Sequence, residues 1–143
     1  MKKFFQFEYE ADGNTSEIAT PVYLRKNNTT PEVQCKAVWD TGATGSMISA
    51  STAKKLTLSP CGISQISGVH GVQNAKCYHV DLVFGNGFCI PKIKVAEASD
   101  TGGFELLVGM DVISKGILLI DGSEGELSVR FMYPTEDQPS FSD

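Results

Sequence analysis

The sequence predicts an all-β fold, a small β-barrel or sandwich with one or two short helices. Short stretches rich in Val, Ile, Phe and Tyr recur along the chain, and Gly, Asn, Asp and Pro separate them. Two glycine-containing segments, at 85–87 and 121–125, have the composition of hairpin turns, because glycine and asparagine accept positive φ. Only two segments have the composition of helices.

The apolar stretches define the individual elements. Phe5, Phe7 and Tyr9 alternate with polar residues near the N-terminus, which predicts an edge strand with one aromatic face. Helices are predicted at 50–56 and at about 110–115, and Gly116 supplies a C-terminal stop for the second. The predicted strands are residues 3–10, 18–25, 33–38, 64–69, 75–84, 88–95, 105–108, 117–120 and 126–131.

The length of 143 residues predicts one domain with enough core to fold without disulfides or metals. Hydrophobic residues make up 41% of the chain and charged residues 20%, which is the composition of a soluble globular protein. Residues 134–143 contain two prolines and few apolar side chains. We therefore expect residues 1–133 to form the domain and residues 134–143 to form a flexible C-terminal tail.

The charge pattern and the N-terminus exclude several kinds of partner. The net charge is -5 and the basic residues are scattered, whereas phosphate binding needs clustered Lys and Arg, so no nucleic-acid partner is expected. No apolar run is long enough to span a bilayer, and Gln6, Glu8 and Glu10 interrupt the one N-terminal stretch that resembles a signal sequence. We expect no membrane partner and a cytoplasmic location.

The four cysteines have no Cys-x-x-Cys spacing, and no combination of cysteine and histidine matches a zinc pattern. In a reducing compartment they are expected to be buried or partly buried free thiols. The sequence therefore predicts no metal site and no cofactor.

The most informative stretch is VWDTGATGSMIS, which places Asp40 where an apolar strand ends and a glycine-containing loop begins. Asp-Thr-Gly alone is common turn chemistry. The preceding CKAVWD, however, is apolar enough to predict that Asp40 is substantially buried, and a buried carboxylate needs hydrogen-bond donors or a partner that shares its charge. A second apolar run, FELLVGMDVIS at 104–114, predicts a strand buried on both faces behind the Asp40 loop, followed directly by the second helix.

These two motifs, in this order and at this distance, resemble the retropepsin-like aspartic proteases, including their single-domain cellular and bacterial members. The resemblance covers about residues 21–131 and implies a small closed β-barrel that is active as a two-fold homodimer. It implies that Asp40 is the catalytic aspartate and that Thr41 hydrogen-bonds across the dimer axis. It also implies that the Gly42 carbonyl contacts the substrate backbone and that Ala43 lines the cleft.

The resemblance assigns roles to two further segments. Residues 66–80 would form a flap hairpin over the substrate, with its tip at Gly68, Val69, His70, Gly71 and Val72. Leu107, Val108 and Gly109 would support the catalytic loop from behind.

The resemblance also implies an activity, that of an aspartic endopeptidase acting on a peptide or protein substrate. Two carboxylates in contact hold a single proton between them, so one can deprotonate water while the other protonates the carbonyl oxygen. We expect a single copy of Asp-Thr-Gly, at Asp40, and the chain is too short for a second lobe, so the second carboxylate is expected from Asp40 of another copy.

Two alternatives to a protease stay open at the level of sequence. One is a retropepsin-like module for dimerisation or peptide binding with little or no proteolytic activity. The other is an unrelated, monomeric β-barrel binding protein in which Asp-Thr-Gly is only a turn.

Some positions depart from the retroviral pattern. Retroviral members carry an acid after Asp-Thr-Gly-Ala and an arginine after the downstream glycine, whereas here Thr44 and Met110 stand at those places. Asp111 is predicted to be the N-cap of the second helix, and Trp39 is predicted to pack in the core. The terminal strands that join retroviral dimers are not recognisable in the sequence.

Overall fold

The computed structural model describes residues 3–11, 16–26, 31–68, 71–99 and 101–134. Val69 and His70, at the tip of the predicted flap, lie outside the described residues, as does the predicted tail from residue 135 onward.

The secondary structure is mostly strand, with two short helices, as the sequence predicted. All nine predicted strands are present with small shifts at their ends, and one short strand, β4, was not predicted. The strands are β1 (Phe4–Ala11), β2 (Ile18–Arg25), β3 (Val33–Trp39), β4 (Met47–Ser49), β5 (Gly62–Gly68), β6 (Gly71–Val83), β7 (Cys89–Ala98), β8 (Leu106–Val108), β9 (Ile117–Asp121) and β10 (Leu127–Pro134). The helices are α1 (Ala50–Lys55) and α2 (Met110–Ile113).

The larger sheet closes into a barrel. Its strand order is β2-β3-β8-β4-β7-β6-β5, and an additional pairing of β2 with β6 joins the two sides. The 13-residue strand β6 makes this possible, because 71–77 pair with β5, 77–83 pair with β7, and 81–83 pair with β2 as well. The prediction of a small closed barrel is confirmed.

A second sheet of three strands, in the order β1-β10-β9, lies beside the barrel. As predicted, β1 is an edge strand, and its aromatic residues meet the barrel core. The ring of Phe7 lies 4.7 Å from that of Phe84, and the ring of Phe131 on β10 lies 5.1 Å from that of Trp39. These aromatic contacts attach the small sheet to the barrel.

Helix α1 begins where β4 ends. The Ser49 side chain accepts a hydrogen bond from the Thr52 N–H at 3.1 Å and so caps the helix. Among the described residues, no helix has the length and apolar character needed to cross a membrane.

Candidate active site

Asp40 is positioned by a parallel pair of strands. Strand β3 runs parallel to β8, with Trp39 opposite Val108. The Asp40 N–H donates to the Val108 carbonyl at 2.9 Å, which extends the ladder by one bond. Trp39 is buried and donates from Nε1 to Thr20 Oγ1 at 2.9 Å, which confirms its predicted place in the core. The strand that carries Asp40 is therefore fixed from both sides.

The Asp40 carboxylate lies at the surface end of this strand. Its Oδ1 accepts a hydrogen bond from the Gly42 N–H at 2.8 Å, and its carbonyl accepts from the Ala43 N–H at 3.2 Å, so the loop turns tightly around it. Asp40 is half-buried, not substantially buried as the apolar run before it predicted. The side chain keeps access to water because the chain leaves the sheet at this residue, and burying it alone would be costly.

The rest of the Asp40 loop is open to solvent. Thr41 and Gly42 are exposed and Ala43 is half-buried. A group that approaches this surface could therefore reach the Asp40 carboxylate, the Thr41 hydroxyl and the Gly42 carbonyl.

The loop rests on the segment that follows β8. Leu106 and Val108 are buried and Leu107 is half-buried, so the predicted strand is present beside β3 but has one face only partly covered. A Cβ at Gly109 would lie 2.7 Å from the Gly45 carbonyl oxygen and 2.9 Å from that of Ala43. Only glycine lets these two backbones come so close.

Ser46 and Asp111 link the Asp40 loop to α2. Ser46 is buried, and its hydroxyl donates to Asp111 Oδ1 at 2.7 Å and accepts from the Gly109 N–H at 3.0 Å. The second carboxylate oxygen of Asp111 accepts from the Ser46 N–H at 3.1 Å. The predicted N-cap role of Asp111 is wrong, because Gly109 is the N-cap residue and Asp111 lies in the first turn. Its carboxylate binds the neighbouring loop instead.

Backbone bonds complete the same link. The Met110 N–H donates to the Ala43 carbonyl at 2.8 Å, and the Asp111 N–H donates to the Thr44 carbonyl at 3.1 Å. The loop and the start of α2 thus form one rigid unit. Ser46 was not among the predicted site residues, although a serine in a glycine-rich loop and an acid just after the downstream glycine were the available signals.

A cleft of about 550 Å³ lies between the Asp40 loop and the hairpin formed by β5 and β6. Gly42, Ala43 and Gly45 line it from the loop, and 64–67 line it from β5. The hairpin pairs in register from Gly62 opposite Cys77 to Gly68 opposite Gly71. The residues predicted at its tip that the structure describes are Gly68, Gly71, with a φ of 101°, and the exposed Val72.

The triplet Asp-Thr-Gly also occurs at 100–102, which the expectation of a single copy overlooks. It lies in the connection between β7 and β8, and Asp100 is outside the described residues. Gly102 and Gly103 have φ values of 61° and 108°, and the Gly103 N–H donates to Thr101 Oγ1 at 3.2 Å. This described part is a turn. Within the described ranges, no three His, Cys, Asp or Glu side chains cluster as metal ligands would.

Comparison with known proteins places this geometry in a family. The family model described as "gag-polyprotein putative aspartyl protease" matches residues 28–115, a span that contains β3, the Asp40 loop, the hairpin, β8 and α2. The chain belongs to the retropepsin-like aspartic protease family.

Solved structures support the fold of this retropepsin-like chain. A retropepsin-like aspartic protease from Rickettsia conorii is 18% identical with a TM-score of 0.60, over 92% of this chain and 96% of that one. The EIAV protease, solved with an inhibitor, is 20% identical with a TM-score of 0.52, over 69% of this chain and 86% of that one. Identities this low support the fold and not the activity. No curated protein gives a significant match.

We predict that replacing Gly109 destabilises the retropepsin-like domain. In Gly109→Ala, the added methyl would overlap the Gly45 and Ala43 carbonyls, and relieving such overlap costs about 1–3 kcal/mol. Urea denaturation measures the change. Gly45→Ala is the matched control, because a Cβ there meets no atom within 4 Å. Equal stability of the two variants would show that the loop and α2 are not held as described.

Proposed function

We propose that the protein is an aspartic endopeptidase that hydrolyses peptide bonds with a water molecule activated by two Asp40 carboxylates, one from each subunit of a homodimer. The observation that carries this proposal is the placement of Asp40. Its carboxylate is half-exposed on a loop that is bonded to β8 and α2 and that lines an open cleft through Gly42 and Ala43. A fixed loop holds a reacting group in one geometry, which catalysis requires.

The proposed reaction requires a second carboxylate beside Asp40. Asp111 is unsuited, because both of its carboxylate oxygens accept hydrogen bonds from Ser46. A two-fold axis next to the Asp40 loop would bring two identical carboxylates together, since each residue near such an axis meets its own twin. The Thr41 side chain is exposed, so its hydroxyl could form a hydrogen bond with the opposite loop in such a dimer.

A surface suited to this dimer is present on β9. Ile117, Leu119 and Ile120 are 47%, 45% and 43% exposed, which is an unusual density of apolar surface for one short strand. Within the described residues, β9 pairs only with β10 and is an edge strand. It also follows α2 after a short connection, and α2 is bonded to the Asp40 loop. We therefore place the subunit interface on β9, where the sequence had shown no recognisable dimer strand.

The β5–β6 hairpin supplies the opposite wall of the cleft and is the proposed flap. In this role it would cover the backbone of a bound peptide, and 64–67 would contact it. Gly68, Val69, His70, Gly71 and Val72 remain the proposed tip. Leu107, Val108 and Gly109 remain the proposed support of the catalytic loop.

Digestion of a peptide library by the purified protein tests the proposed function. We expect endoproteolytic cleavage with a bell-shaped pH dependence and a maximum on the acidic side, where two contacting carboxylates hold one proton. A statine-type inhibitor should suppress cleavage, and a chelator should not. Binding of library peptides without cleavage at any pH would instead favour the dimerisation or peptide-binding module.

A further inference from the structure

Two cysteines face each other at the base of the hairpin. Cys61 Sγ donates to Cys77 Sγ across 3.4 Å, and the Cys61 N–H donates to the Cys77 carbonyl at 2.7 Å. Cys77 is buried, whereas Cys61 is exposed, contrary to the expectation that all four cysteines are buried or partly buried. A disulfide requires about 2.0 Å between the sulfurs, so an approach of about 1.4 Å would join them.

The exposed sulfur is accessible to a small reagent. Cys61 lines a surface cleft of about 250 Å³ together with Lys26, His79 and Lys92. A molecule of the size of hydrogen peroxide fits such a space. Cys77 lies behind Cys61, where it can react with a group formed on the first sulfur.

The surroundings favour a thiolate within the pair. Burial raises the pKa of Cys77, but hydrogen bonds with Ser64 and Cys61 and the charge of Lys94 outweigh it, so the pKa is lowered overall. For Cys61, burial and the hydrogen bond to Cys77 raise the pKa. The Cys77 sulfur is therefore the one that favours the thiolate, and it can accept the proton of the Cys61 thiol that donates to it.

We infer that Cys61 and Cys77 are a redox modification site, at which a hydroperoxide converts the two thiols into an intrachain disulfide. The Cys77 sulfur accepts the proton of the Cys61 thiol, and the Cys61 sulfur attacks one oxygen of the hydroperoxide. The O–O bond breaks, the other oxygen takes that proton and leaves as an alcohol or water, and Cys61 becomes a sulfenic acid. The Cys77 sulfur then attacks the Cys61 sulfur and releases water. Two thiols are oxidised, one hydroperoxide is reduced, and a dithiol reductant reverses the reaction.

The disulfide would close the hairpin at its base. Cys61 directly precedes β5 and Cys77 lies on β6 opposite Gly62, so the bond would enclose the whole paired part of the hairpin. Closing this loop restricts the unfolded and the locally opened states. Amide hydrogen exchange of 62–68 and 71–77 should therefore slow on oxidation.

Peroxide treatment followed by alkylation of the remaining thiols and peptide mapping tests this inference. We expect a linked pair of peptides containing Cys61 and Cys77, lost on reduction and absent from Cys61→Ser, together with slower hydrogen exchange of the hairpin. Lys94→Met should slow the oxidation several-fold, because its charge favours the thiolate. Cys89→Ser is the matched control and should form the same linked pair.

Three outcomes would overturn the inference. They are oxidation of Cys61 to a sulfinic acid with Cys77 still reduced, a mixed disulfide with an added thiol as the only product, and crosslinking between chains. Cys35 should stay unmodified throughout, because burial and the nearby Glu105 raise its pKa to about 12. None of these measurements uses peptide hydrolysis, so their result is independent of the proposed protease activity.

Discussion

Asp40→Asn is expected to abolish peptide hydrolysis while leaving the fold and the dimer intact. The asparagine side-chain oxygen can still accept the hydrogen bond from the Gly42 N–H, so the loop keeps its shape. An amide cannot take a proton from water, and loss of general acid–base catalysis lowers rates by about 10²–10⁴-fold. Because the substitution also removes like charges from the proposed axis, the variant dimer should be no weaker than the wild type near neutral pH.

Initial cleavage rates on one library-derived peptide, with sedimentation to follow the dimer, measure both effects. Asp100→Asn is the matched control, because it changes the aspartate of the other Asp-Thr-Gly triplet and should leave the rate near that of the wild type. Undiminished hydrolysis by purified Asp40→Asn would reduce Asp40 to a turn residue. Loss of hydrolysis in Asp100→Asn alone would move the catalytic role to the second triplet.

Leu119→Glu is expected to produce monomers and, with them, loss of hydrolysis. Leu119 is 45% exposed on the edge strand β9, so the charge is tolerated in the isolated chain. In the proposed interface the carboxylate would be buried without a partner. That costs about 3–5 kcal/mol, or roughly 10²–10⁴-fold in the dimer Kd. A two-fold axis doubles the effect, because both subunits carry the substitution.

Light scattering over a dilution series measures the change in the dimer Kd, and thermal unfolding checks that the monomer is folded. Phe4→Glu is the matched control, since Phe4 is also a partly exposed apolar residue, 39% exposed, on the opposite edge strand of the same sheet. We expect it to leave the dimer unchanged. A dimer that survives Leu119→Glu and dissociates in Phe4→Glu would place the interface on β1 instead.

Local patterns in the sequence were sufficient for most of the secondary structure. All the strands except β4 are marked by β-branched and aromatic runs between turn residues, and such runs specify an element without reference to the rest of the chain. Strand β4 was missed because Met47–Ser49 is only three residues long and follows a glycine-rich loop. It is a strand because β7 and β8 bind its two edges, which is information from the tertiary structure.

The pairing between elements far apart in the sequence was harder to predict. The run at 104–114 predicted that β8 lies behind the Asp40 loop, and the parallel pairing of Trp39 with Val108 agrees. Nothing in the sequence of β1, β9 and β10 shows that they form a separate sheet, because an alternating pattern identifies a buried face and not the partner strand.

In the candidate site, too, the motif was predictable from the sequence and the side-chain contacts were not. The motif identified Asp40 and the glycine-rich loop. The predicted burial of Asp40 was too high, because the apolar character of a strand does not determine how exposed its last residue is. The links from Ser46 to Asp111 and from Cys61 to Cys77 join residues 65 and 16 positions apart, and neither pair follows a known spacing.

The central claim, that each active site needs two Asp40 residues from two subunits, is tested most directly by mixing subunits. Wild type and Asp40→Asn are mixed in varying proportions at constant total concentration, allowed to exchange, and assayed for peptide hydrolysis. If mixed dimers are inactive, activity falls with the square of the wild-type fraction, to about one quarter in an equal mixture of freely exchanging dimers. A linear fall, to about one half under the same conditions, would mean that a single chain carries a complete site.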